Sequence, residues 1–283
     1  MGPLRRGPAD PTWHTDGEGA VWRASLTPDG PVTYRLVRRD GEVTGTAWGP
    51  GADWLLDGLP ELLGAGNDLT GFVPRHPLLE QAFRAHPGIR VLRTRLVVEA
   101  LVPAVLEQKV TGKEAFAAYR RLVRRYGEPA PGPAPAGLLV PPAADTWRRV
   151  PSWEWHRAGV DPKRMRTVLA AMPLAARLEE AVGLEREAAL ARLRVVPGVG
   201  EWTANEVALR ALGDTDALSV GDFHLAGAVG WALLGRPLDD AGMVDLLEPW
   251  RPHRAVVVRL LESVGPAKPR FGPRLAVQDH RRH

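Results

Sequence analysis

Hydrophobic positions along the chain follow two periods, and the change between them falls near residue 90. Before it, apolar and β-branched residues come in short runs separated by turn chemistry, the signature of strands. Ala20 to Leu26, Val32 to Arg38 and Glu42 to Trp48 form three such runs. Pro28-Asp29-Gly30 separates the first two, and Asp40-Gly41 separates the second from the third. An Asp-Gly pair tolerates the positive φ angles of a two-residue hairpin turn, so three antiparallel strands are predicted. Trp54 to Leu63 then has helical spacing, and Pro77 to Ala85 forms another short helix ahead of Pro87-Gly88.

From Leu96 onward the period is 3.6 residues, and the rest of the chain reads as helical. Helices are expected over Leu96 to Val110 and Lys113 to Tyr126, the second closed by Gly127 as a C-cap. Pro129 to Pro142 reads as a loop. Later helices are predicted for Pro162 to Met172, Glu185 to Leu193, Glu201 to Leu212 with Gly213 at its C-cap, Phe223 to Leu233, Asp239 to Leu247 and Arg254 to Val264. Gly265 to His283 carries Pro266, Pro269 and Pro273 and no core pattern, which predicts a frayed basic tail. The expected organisation is an α+β domain over residues 1–90, a helical domain over 91–264 and a tail over 265–283.

Composition narrows the functional classes. The 283 residues are 45% hydrophobic and 25% charged, a globular balance, and no apolar run approaches the roughly 18 residues that span a bilayer. The opening Met-Gly-Pro-Leu-Arg-Arg has no apolar stretch, so a cytoplasmic protein is expected. With no cysteine, disulfides, Cys-ligated zinc, thiol nucleophiles and iron–sulfur clusters are all excluded. His76, His86, His156 and His224 lack metal-ligand spacing, and Ser152 and Ser219 lack a nucleophile elbow. The net charge of +4 is compatible with a polyanionic partner only where cations cluster. Arg120, Arg121, Arg124 and Arg125 cluster on one predicted helix, readable either as a surface that tracks DNA or as an ordinary solvated face.

The most informative segment runs from Leu193 to Asn205. Here a helix enters Pro197-Gly198-Val199-Gly200 and another starts at once, so two glycines make a tight hairpin between helices. Backbone N–H groups there can approach an anion, phosphate above all; a corner that merely packs is the alternative. Downstream, Asp222 precedes Phe223-His224-Leu225-Ala226 and reads from the residues alone as a helix N-cap.

Together these residues resemble the helix–hairpin–helix DNA glycosylase superfamily, and Pro-Gly-Val-Gly-Glu-Trp-Thr-Ala is close to the form in its DNA-3-methyladenine glycosylase II (AlkA-type) branch. The likeness is strongest over 193–222, where Leu218-Ser219-Val220-Gly221-Asp222-Phe223 looks like the segment with the family's catalytic aspartate. Weaker similarity extends from about residue 50 to 262, including Leu106-Glu107-Gln108-Lys109-Val110 at the family's DNA-intercalating loop. The resemblance implies a mostly helical, two-lobed core with a small antiparallel sheet domain in front, acting as a monomer on double-stranded DNA at the nucleoid.

It also implies roles. Asp222 is the expected catalytic carboxylate, and Pro197, Gly198, Val199, Gly200, Thr203, Gln108 and Lys109 are the expected DNA contacts. Gln108 and Lys109 read otherwise as a polar helix end. Trp202 and Phe223 are expected to stack on an everted base, though either fits a core position as well. Two positions where the branch often carries an aromatic are Glu206 and Glu262 here, which either line the pocket or lie on solvated helix faces. Members that nick the backbone carry a lysine where this chain has Trp202, so a monofunctional glycosylase acting on alkylated purines is implied. A different base lesion and a non-catalytic DNA-binding protein are the alternatives. No diffusible cofactor is implied, although a monovalent cation at the hairpin backbone is compatible with the family.

Overall fold

A computed structural model describes residues 1–264; the expected tail over 265–283, with Arg281 and Arg282, lies outside them. The N-terminal sheet has four antiparallel strands in chain order: β1 (Trp13–Thr15), β2 (Val21–Thr27), β3 (Gly30–Arg39) and β4 (Glu42–Trp48). Its β3–β4 register closes on Arg39 opposite Glu42, with Asp40 and Gly41 at φ 50° and 86°, as an Asp-Gly turn requires. Alternate residues Val32, Tyr34 and Leu36 pack against α1 (Ala52–Asp57) and α2 (Leu59–Leu62). The single helix expected over Trp54 to Leu63 is therefore two. Gly58 separates them because the Arg95 guanidinium fills the space a Cβ would need there, stacking 4.0 Å over the Trp54 ring and donating to the Trp54 carbonyl.

Helix α3 (Pro77–Ala85) is where the sequence placed it, but its core is not that of the sheet. Leu79 and Ala82 are buried with residues of α12 (Leu225–Leu234), α13 (Asp240–Leu247) and α14 (Arg254–Ser263), forming one helical lobe. The other lobe surrounds α4 (Val97–Leu106), an almost wholly buried helix. Around it pack α5 (Gly112–Tyr126), α6 (Ala144–Arg149), α7 (Ser152–Arg157), α8 (Pro162–Ala171), α9 (Ala175–Glu179), α10 (Arg186–Leu193) and α11 (Glu201–Val207). The molecule is thus α+β, with a small antiparallel sheet and a mostly helical two-lobed body.

Three departures from expectation have local causes. Helix α4 stops at Leu106 rather than Val110: the Gln108 N–H bonds only three residues back, and Lys109 takes the left-handed conformation at φ 55°. A capping box then starts α5, with the Thr111 hydroxyl and the Glu114 carboxylate bonding each other's backbone. Gly127 closes α5 as its C-cap, as expected, in an extended conformation at φ −73°; glycine fits because a Cβ would press on the Val123 and Val140 carbonyls. Finally, the Pro-rich stretch holds a short ladder of β5 (Glu128–Pro129) with β6 (Leu139–Val140), and the last turns before Gly213 are π-helical over Ala208–Leu212.

Candidate active site

The hairpin forms between α10 and α11 as the glycine spacing predicts. Val196 and Val199 anchor it in the core, joined by the bond from the Val199 N–H to the Val196 carbonyl, while Pro197, Gly198 and Gly200 are exposed. Its two glycines differ. Gly198 has φ 93°, and a Cβ there would meet the Thr167 hydroxyl at 2.1 Å, so the fold itself requires glycine. Gly200 is extended, N-caps α11 without a side-chain bond and has open space where a Cβ would project. Its bare backbone adjoins the unpaired first-turn N–H groups of α11.

Gln108 is tied to the hairpin. Its amide donates to the Gly198 carbonyl at 3.0 Å and to the Thr203 hydroxyl at 2.8 Å. The side chains of Thr203 and Val199 are buried. Lys109 is exposed at the left-handed tip of the same loop.

Behind the loop lies an ion network. Arg6 is buried and donates to Glu107 at 2.6 Å, the residue next to Gln108, while its own N–H is held by Asp10. Arg210 donates to the Pro3 carbonyl and, at 2.7 Å, to the carboxylate of Glu206. The other Glu206 oxygen accepts the Ser219 hydroxyl at 2.5 Å. Residues 3–6 therefore bridge the wedge-like loop and the loop leading to Asp222. Burial opposes ionisation of Glu206, but Arg210, Ser219 and Arg6 outweigh it and hold the pKa below the usual value. Glu206 is buried in this network, so it does not lie on a solvated helix face, one of the two places expected for it. Glu262 is exposed, and its pKa is raised by partial desolvation, with Arg259 and Arg210 opposing and the Glu206 and Asp222 charges adding to the rise.

The Asp222 loop is fixed from both ends. Asp216 and Arg254 form a buried two-pronged pair, both bonds at 2.7 Å, and Arg186 holds Asp214 at 2.9 Å. Gly221, at φ 91°, turns the chain into Asp222. Asp222 Oδ1 accepts the N–H groups of His224 and Leu225 at 2.8 and 2.9 Å and so braces the turn that leads into α12, whose N-cap is His224. Its Oδ2 has no hydrogen-bond partner among the described residues.

No family model matches the chain. Two Mycobacterium tuberculosis strains carry a relative described as a probable bifunctional transcriptional activator/DNA repair enzyme AlkA, 32% identical over 207 residues; this spans 72% of the present chain but only 39% of the relative. Over those 207 residues the chain is homologous to this AlkA. In fold it is similar to the 3-methyladenine DNA glycosylase of Archaeoglobus fulgidus, with a TM-score of 0.73 at 19% identity over 89% of this chain and 88% of that one. The 8-oxoguanine glycosylase/lyase of Clostridium acetobutylicum superposes at 0.69 with 15% identity over 90% and 88%. At these identities the likeness is one of fold, the α+β architecture that the sequence had implied.

Trp202 and Phe223, the residues expected to stack on an everted base, differ in their exposure. Phe223 is 81% exposed and lies edge-on to the His224 ring at 4.9 Å, and no ring contact joins it to Trp202 among the described residues. Trp202 is half-buried with an unpartnered Nε1, and Arg259 nearby in the network has a buried, unpartnered Nε. Sequence reasoning does not mark Arg6, Glu107, Arg210, Ser219 or Arg259 as site residues. Arg210 alone has a local signal, its i,i+4 spacing from Glu206.

Proposed function

We propose that this AlkA homologue hydrolyses the N-glycosidic bond of a damaged base in double-stranded DNA, leaving an abasic site, with alkylated purines of the 3-methyladenine type as substrates. The observation that carries the reading is Asp222, a carboxylate with one oxygen locked by two backbone N–H groups and the other free of protein partners among the described residues, in a chain homologous to AlkA. The locked oxygen fixes the group's direction. The free one can face the positive charge that grows on the deoxyribose as the base departs, and can orient the attacking water. The exposed backbone at Gly200 would grip a phosphate beside the lesion while the nucleotide is turned out.

Trp202 stands where strand-nicking members of the resembling family carry lysine, which supports base removal without lyase chemistry. No step is assigned to a monovalent cation at the hairpin. The test is release of free base from alkylated duplex by wild type and Asp222→Asn, with borohydride trapping alongside. Wild-type release, abolished in the variant and without a trapped adduct, supports the reading; a trapped adduct removes the hydrolytic part, and equal release by the variant removes Asp222.

A second reading is the same chemistry on a different lesion, prompted by the similarity in fold to the 8-oxoguanine glycosylase/lyase of Clostridium acetobutylicum. A panel of deaminated and oxidised duplexes, run beside the alkylated one, separates the two; binding without release from any of them would leave a non-catalytic DNA-binding protein.

A further inference from the structure

Outside the cleft, the strongest concentration of unpaired charge lies along the outer side of α5. Arg120, Arg121, Arg124 and Arg125 line one open concavity of about 600 Å³ together with Arg157 and Glu154 of α7. Five guanidiniums against one carboxylate give a local excess equal to the +4 of the entire chain. The remainder of the molecule is, in net terms, neutral.

The fold makes little use of these cations. Arg157 pairs with Glu154 at 3.3 Å, but among the described residues the four α5 arginines make no ion pair, and Arg121, Arg124 and Arg125 are exposed. Arg120 and Arg124, like Arg121 and Arg125, are like charges four residues apart, an arrangement that weakens a helix. Each guanidinium presents a planar fork of donors that suits a phosphate.

Position points to the same polyanion as the cleft. Helix α5 starts at Gly112, three residues beyond Lys109 in the loop that Gln108 ties to the hairpin. At 1.5 Å per residue its 15 residues extend about 22 Å, which places the arginines roughly 12–20 Å along the helix from that loop. Duplex DNA carries one charge per roughly 1.7 Å of axis, so a single duplex can reach both places. We propose that this arginine surface is a second DNA-backbone site, gripping the duplex several base pairs from the base being removed. The proposal rests on the DNA-binding reading above.

The test uses anisotropy titrations of the full chain with undamaged duplex between 50 and 200 mM salt. One variant carries Arg→Gln at 120, 121, 124 and 125; a control carries R38Q and R39Q, exposed cations at the far end of β3. Each phosphate that the variant no longer neutralises should flatten the log–log salt slope by about 0.9, so four would flatten it by roughly 3.6 and shrink the affinity loss across that salt range about a hundredfold. The control should change it far less. Duplexes cut to about five base pairs on one side or the other of a fixed abasic position should lose the wild-type advantage on one side only. A slope equal to wild type in the four-site variant overturns the proposal while leaving DNA binding by the hairpin intact. Equal flattening in the control would reduce the effect to net charge and also overturn it. A wild-type protein that binds no duplex at all removes both this proposal and the reading beneath it.

Discussion

The cleft and the outer side of α5 are built from the same residue types and treat charge in opposite ways. In the cleft Arg6 meets Glu107, Arg210 meets Glu206, and Arg254 meets Asp216, each pair largely out of water. On α5 the arginines stand beside one another in solvent with no acid among them except Glu154 on the neighbouring helix. A buried charge must be neutralised within the fold or it costs several kcal/mol, whereas an exposed one carries no such demand. Charges in the cleft are therefore committed to holding the two lobes and the N-terminal segment in register. Those on α5 remain available to a ligand. Asp222, with one oxygen engaged and one not, shares both characters, and the role proposed for it draws on both.

Asp222→Asn is expected to break the comparison at its most sensitive point. Asparagine keeps an oxygen to brace the turn into α12 and loses the charge, so the melting temperature should hold while single-turnover base release falls by about 10²–10⁴. Loss of stability together with activity would mean that Asp222 only braces that turn.

Glu206→Gln tests the committed charges. It leaves Arg210 without its counter-ion in a buried setting, which should cost about 3–5 kcal/mol in chemical denaturation at pH 7. The cost should depend on pH. Because the folded pKa of Glu206 is depressed, its contribution is complete above the ordinary glutamate value and disappears as pH falls through the lower folded value. Wild type and variant should accordingly converge below about pH 4. A gap that stays constant with pH would show that packing, not charge, accounts for the loss.

The two hairpin glycines separate architecture from contact on a smaller scale. Gly198→Ala forces a left-handed alanine against Thr167 and should cost about 1–3 kcal/mol of stability. Gly200→Val meets open space, so the fold should be untouched while duplex affinity drops about tenfold or more as phosphate bonds to the backbone are blocked. Unaltered affinity in the second variant would reduce the hairpin to a packing corner.

Legibility in the sequence follows the range of the interaction. The Asp40-Gly41 turn and the hairpin glycines involve neighbours within a few residues, and each is found where the local pattern places it. Strand β1 has three residues, too few to show alternation, and α6 and α7 are single short turns between prolines. The charge network is hidden for another reason. Arg6 and Glu107 are 101 positions apart, and Ser219 lies 13 beyond Glu206, so only the folded topology tells which cation meets which acid. The aromatic pocket is expected from resemblance alone. Phe223, one residue beyond Asp222, is carried outward by the turn in which Asp222 accepts the Leu225 N–H, so the core position that its residue type also fitted is not the one it takes.

The smallest effect bears on the free charges. Arg121→Gln removes like-charge repulsion with Arg124 and Arg125, at three and four positions along α5, and touches no acid among the described residues. It should therefore raise stability, by about 0.2–0.5 kcal/mol for each like-charge pair relieved, and the gain should shrink as added salt screens the repulsion. The sign matters more than the size. A cleft arginine taken from its pair destabilises; an α5 arginine taken from its row stabilises, so the row lowers the stability of the isolated protein. A measured loss on Arg121→Gln would mean that the side chain is committed to the fold after all, and the contrast between the two regions would disappear with it.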